Sequence, residues 1–151
     1  MNLLKQTTRT FLLEKIDTYE NLIGIDLTMK QYAGGFRLDG IRSSRNFRHF
    51  TNLLNKQIYG SAFTRFGRRL PVIASLEHAS RYHYHTVFQV PDKMCYEHFC
   101  AATQSAWQKT HFGYRETYYH PSIDAGWINY ITKFKSKEFD LIDWDNVCLD
   151  F

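Results

Sequence analysis

The sequence predicts an α+β fold in which helices pack on a central antiparallel sheet of about five strands. Two observations lead there. Segments of period two alternate with segments of helical spacing in the order helix, strand, helix, strand, strand, helix, strand, helix. Apolar positions recur from Leu3 almost to Phe151 without a linker, a repeat or a low-complexity tract, so residues 1–151 read as one domain. A chain of 151 residues, 44% hydrophobic and 17% aromatic, can bury one core.

Each element has a local reason. From about Thr10 to Leu22, Phe11, Leu12, Ile16, Tyr19 and then Ile23 fall near helical spacing. Ile25, Leu27 and Met29 alternate with Asp26, Thr28 and Lys30 as in a half-buried strand, and Gly34-Gly35 supplies a turn. A second helix, capped by Ser43 or Ser44, gathers Phe47, Phe50, Leu53, Leu54 and Ile58 on one face and stops at Gly60. Leu70 to Leu76 and His83 to Val90 read as two strands of a hairpin. Asp92 is expected to cap a helix carrying Met94, Phe99, Ala102 and Trp107. Tyr114 to His120 is the next strand, and a last helix is expected from about Asp124 to Lys135.

No segment approaches the roughly 20 continuous apolar residues of a membrane-spanning helix, and the first residues lack a signal-peptide layout, so an intracellular, cytoplasmic setting without membrane contact is expected. Three cysteines, Cys95, Cys100 and Cys148, have no CxxC spacing and suggest neither a disulfide framework nor a cysteine-rich zinc site. A net charge of +4 is compatible with a polyanionic partner.

The segment Glu77 to His85 carries the chemistry. In a strand, His83 and His85 project from one face while Tyr84 points the other way, and Glu77 stands just across a short hairpin. Two imidazoles and a carboxylate would make a three-ligand divalent metal site with open positions, whereas a bare His-x-His pair is also what ordinary residues on a polar strand face look like. His49, His98, His111 and His120 have no ligand partners at useful spacing. His78 points away from the strand face that carries the pair. In the last helix Tyr130 and Lys133 are three apart, hence neighbours on one face, while Trp127, Ile131 and Phe134 form a separate apolar stripe. Tyr118 and Tyr119 read as sheet residues.

Three ordered elements make the chain resemble the HUH endonuclease superfamily, specifically its single-tyrosine, Rep-like branch of rolling-circle replication initiators. The strand Gly-Ile-Asp-Leu-Thr-Met-Lys, 24 to 30, is similar to the family's first motif; His83-Tyr84-His85 matches its His-hydrophobic-His motif; Tyr130-Ile-Thr-Lys133 matches its Tyr-x-x-Lys motif. Glu77 sits where the family often has an upstream acidic ligand, and no second tyrosine stands three or four residues from Tyr130. The resemblance implies an RNA-recognition or ferredoxin-like core, with Mg2+ or Mn2+ held by Glu77, His83 and His85. It implies nicking of single-stranded DNA at an origin or hairpin through a covalent 5′-phosphotyrosine at Tyr130, with Lys133 stabilising charge. No GxxxxGK[ST] loop is present, so any helicase would be a separate host protein.

For DNA contact the candidates are Lys30, Arg37, Arg65, Arg68 and Arg69, with Arg42 and Arg45 as further cations and Phe63, Phe66 and Tyr82 as stacking aromatics. Other readings remain open at this point: an HUH transposase or mobilisation relaxase, a non-catalytic nucleic-acid-binding module with an RNA-recognition-like sheet, and a zinc hydrolase with Glu77 as general base.

Overall fold

The computed structural model describes residues 3–124, 126–127 and 142–149. In chain order these form α1 (Leu3–Ile16), β1 (Leu22–Met29), β2 (Tyr32–Ala33), β3 (Phe36–Arg37), α2 (Gly40–Tyr59), α3 (Ser61–Phe66), β4 (Val72–Glu77), β5 (His83–Gln89), α4 (Tyr96–Gln108) and β6 (Gly113–His120), with a 3-10 turn at Trp144–Asn146. The α+β class holds, with one correction. Among the described residues the sheet has four strands, ordered β4-β5-β1-β6 and antiparallel throughout, while β2 and β3 form a separate hairpin. The run β1-α2-β4-β5-α4-β6 with this strand order is a ferredoxin-like core. The expected count was about five; at the β4 edge two isolated bridges, Val72 to Cys148 and Ser75 to Ile142, add no further strand. They cover backbone groups that an open edge would expose.

Alternation divides the sheet into two faces. Ile23, Ile25, Leu27 and Met29 of β1 and Tyr84 and Phe88 of β5 pack against Phe47, Phe50 and Leu54 of α2 and Phe99, Ala106 and Trp107 of α4. Each such side chain contributes about 1.5–3 kcal/mol on burial. The other face is apolar at one end, where Ile73 and Val87 meet Leu12 and Ile16 of α1 together with Ile142 and Leu149. At its other end the same face is polar, and there Asp26, Glu77, His83 and His85 stand.

Several helix boundaries differ from expectation. Helix α2 begins five residues earlier than a Ser44 cap would place it, because Asp39 is the cap: its Oδ1 accepts the Arg42 N–H at 2.7 Å. Ser43 instead lies buried inside the helix, its hydroxyl donating to the Asp39 carbonyl. Helix α4 starts at Tyr96, not Asp92, whose carboxylate accepts from the Asn21 side chain. Met94 therefore precedes the helix. The first helix ends at Ile16, and Leu22 and Ile23 belong to β1. The expected helix from Asp124 to Lys135 lies outside the described residues beyond Gly126 and Trp127, which are helical, with the Asp124 carboxylate accepting the Trp127 N–H. Among the described residues no helix is long and apolar enough to cross a membrane.

Candidate metal centre

Register brings the predicted ligands together. Glu77 at the end of β4 pairs with His83, and His85, two residues on, pairs with Asp26 of β1 on its other side. Glu77 Oε2 lies 2.8 Å from His85 Nε2 and 3.2 Å from His83 Nε2, and the two Nε2 atoms are 3.1 Å apart. Tyr84 between them turns into the opposite face, where its ring packs on Phe47 and its hydroxyl donates to Asp143 Oδ2 at 2.7 Å. Burial, reinforced by Asp143, raises the Tyr84 pKa far above its usual value, so this tyrosine stays protonated.

The hydrogen bonds behind the cluster fix its chemistry. His85 Nδ1 is 2.7 Å from Asp26 Oδ1, and His83 Nδ1 is 3.1 Å from the Arg81 carbonyl. Both partners are acceptors, so each Nδ1 carries a hydrogen, and in the neutral ring each Nε2 keeps its lone pair for the cluster. In that neutral form two imidazole lone pairs and a carboxylate oxygen converge on one point, an arrangement that either a proton or a metal cation satisfies. Ligands at about 2.1 Å from an octahedral ion and at right angles to one another are about 3 Å apart. The separations of 2.8, 3.1 and 3.2 Å fit that spacing. Glu77, His83 and His85 therefore form a cluster able to bind a metal ion.

Asp26 and His120 are the residues that sequence reasoning missed. Asp26 Oδ2 accepts from His120 Nε2 at 3.1 Å while Oδ1 accepts from His85, so the carboxylate joins three strands. His120 stands outside the group of potential ligands, and it comes to Asp26 because it pairs across the sheet with Gly24. Burial pushes the Asp26 pKa up, but the hydrogen bonds and charges of His85 and His120 outweigh it and leave it lowered. For His85 burial acts downward, and Asp26 and then Glu77 outweigh it, leaving the imidazole raised. Tyr118, 55% exposed, faces Asp26 directly in register and so shares the polar face; Tyr119 donates to the Cys100 carbonyl. His78 leaves the strand and stacks on Tyr82.

Trp127 closes one side of the cluster, its ring centroid 6.2 Å from that of His85 and 4.2 Å from that of His120. A Cβ at Gly24 would meet the same indole at 2.9 Å, so the strand can approach Trp127 only with glycine there. Tyr130 and Lys133 lie outside the described residues. The predicted basic residues divide into two groups. Arg65, Arg68 and Arg69 precede β4, the length of a strand, about 17 Å, from Glu77 at its far end. Arg68 lies over Tyr59, and Arg69 over Phe63 while donating to Thr51. A cleft of about 460 Å3 belongs to that remote end, lined by residues including Tyr59, Arg68, Pro91 and Met94. Lys30 and Arg37 instead follow the end of β1 at which Thr28 pairs with His83. No family model, curated protein or solved structure matches the chain.

Proposed function

We propose that this protein is a metal-dependent single-stranded DNA endonuclease and strand transferase of the HUH type, acting in rolling-circle replication. The observation that carries the reading is the convergence of Glu77 Oε2, His83 Nε2 and His85 Nε2 on a polar sheet face, backed by Asp26. Support also comes from Trp127, three residues before Tyr130, which packs on His85 and His120. The ligand set of two imidazoles and one carboxylate suits Mg2+ or Mn2+ with positions left for substrate oxygens. Such an ion would polarise the scissile phosphate when bound.

In the proposed reaction the Tyr130 phenol gives up its proton and its oxygen bonds to phosphorus. The P–O3′ bond breaks, and the leaving oxygen takes up a proton to become a 3′-hydroxyl. One phosphodiester is exchanged for another, so no ATP is needed and the 5′-phosphotyrosine can be resealed. Lys133, three residues on, would stabilise the phenolate or the charge on the phosphate. The zinc-hydrolase alternative needs Glu77 as a base standing off the ion. Its oxygen instead points at both ligand nitrogens, as a ligand does.

The test is incubation of the full chain with Mn2+ and a pooled, labelled single-stranded library, followed by denaturing electrophoresis and peptide mapping. The reading predicts a covalent adduct at Tyr130 that is absent with EDTA and absent in Tyr130→Phe, while Tyr130→Phe still binds Mn2+. An adduct that persists in Tyr130→Phe, or one mapped to Tyr118, contradicts the assignment of the nucleophile. Cleavage with zinc and no adduct contradicts the reaction class.

A further inference from the structure

The β2–β3 hairpin exposes aromatic surface that the core does not use. Tyr32 is 66% exposed and Phe36 52% exposed. These rings are held out on a stiff support. Gly34 and Gly35 both have positive φ, as the tightest hairpin turn requires. The Leu38 N–H donates to the Gln31 carbonyl at the base, and Leu38 itself is buried. The His111 ring bonds the Ala33 carbonyl.

Pairing places Tyr32 opposite Arg37 on one face of the hairpin and Phe36 opposite Ala33 on the other, with the Arg42 guanidinium 4.8 Å from the Phe36 ring centre. Each exposed aromatic thus has a guanidinium beside it. Residues 30 to 48 carry Lys30, Arg37, Arg42, Arg45 and Arg48 and a single carboxylate, Asp39, which is already paired with Arg42.

The hairpin is also coupled to the metal centre. The Gln31 side chain accepts the Tyr82 N–H at 2.8 Å and donates to the Tyr82 carbonyl at 3.0 Å. Tyr82 is the residue before His83, and Gln31 the residue before Tyr32. One side chain therefore sets the position of the hairpin against the strand that carries both imidazoles.

We propose that this hairpin is a single-stranded DNA-binding arm, in which Tyr32 stacks on an unpaired base and Arg37 beside it takes the adjoining phosphate. Flat apolar rings alternating with fixed cations match the alternation of bases and phosphates along one strand, whereas in a duplex the base faces are covered. The inference rests on the nickase reading for its choice of ligand and locates where the strand enters that site.

The test measures equilibrium binding of a fluorescein-labelled oligothymidylate by anisotropy in EDTA, where no cleavage occurs. Tyr32→Ala is expected to weaken binding about 5- to 150-fold, with Tyr32→Trp restoring it. Arg37→Gln is expected to lower the slope of log affinity against log salt by about 0.7. Both side chains are exposed, and unchanged thermal melts would confirm that the variants fold. Unchanged affinity in Tyr32→Ala, no binding by the parent protein, or an equal Tyr32→Ala loss on duplex DNA overturns the arm. If these binding losses occur but no adduct ever forms with metal, the arm stands and the nickase reading falls.

Discussion

Asp26 Oδ1 lies 2.7 Å from His85 Nδ1, and that contact decides which nitrogen of His85 faces Glu77 and His83. A carboxylate behind an imidazole fixes its tautomer and raises its basicity toward a metal. Asp26→Ala is therefore expected to weaken Mn2+ binding about 10- to 100-fold, measured by calorimetry. His120→Ala, a change at the residue that reaches Asp26 only through the oxygen turned away from His85, is expected to cost much less. Equal losses in the two variants would remove the special role of Asp26.

Proton and metal compete for His85 Nε2. Because the folded protein raises this pKa above the ordinary imidazole value near 6.5, protonation of His85 stabilises the metal-free protein fully below that value. The contribution is lost as pH rises through the folded pKa. Metal binding needs the deprotonated ring, so the gain in Tm on adding Mn2+ is expected to grow from pH 5.5 to pH 8. Melting curves across that range check the sign; a gain that shrinks with pH contradicts it.

The middle residue of the His-Tyr-His strand has a structural task. Removing the Tyr84 hydroxyl leaves Asp143 Oδ2 with one donor fewer, although Asn146 still reaches that atom at 2.7 Å. Tyr84→Phe is expected to cost about 1–3 kcal/mol in chemical denaturation and to leave Mn2+ affinity unchanged, because the hydroxyl lies on the opposite face from the ligands. A large loss of metal affinity would show that the two faces are coupled.

Gly113 opens β6 directly after the turn that follows α4. A Cβ there would stand 1.9 Å from the Trp107 carbonyl oxygen and 2.5 Å from Thr110 Oγ1. That clash is with backbone, which cannot step aside cheaply. Gly113→Ala is expected to destabilise the fold by about 3 kcal/mol, read from the denaturation midpoint.

Much of this was legible in the sequence where the signal is local. The period-two alternation of Ile25, Leu27 and Met29 identified β1, and the spacing of His83 and His85 put both imidazoles on one face. Glu77 followed from the short hairpin. Asp26 was visible only as the polar half of an alternating strand, because its partners His85 and His120 are 59 and 94 residues away and are brought to it by strand register. A lone carboxylate in an otherwise apolar strand was the available signal. The helix starts slipped for a related reason. Serines near residue 43 and Asp92 have the chemistry of caps, yet the backbone turns at Asp39 and Cys95. The two single bridges that residues 142 and 148 make to β4 had no periodic signal, because each involves one isolated residue.

The central claim, that one ion is gripped by both imidazoles, is tested most directly by pulsed electron paramagnetic resonance of Mn2+ added to the purified protein. Modulation from two directly bound nitrogens is predicted, falling to one in His83→Ala and in His85→Ala. Mn2+ showing only water and carboxylate oxygen around it, with no nitrogen coupling in the parent protein, would contradict the metal centre and the nuclease chemistry built on it.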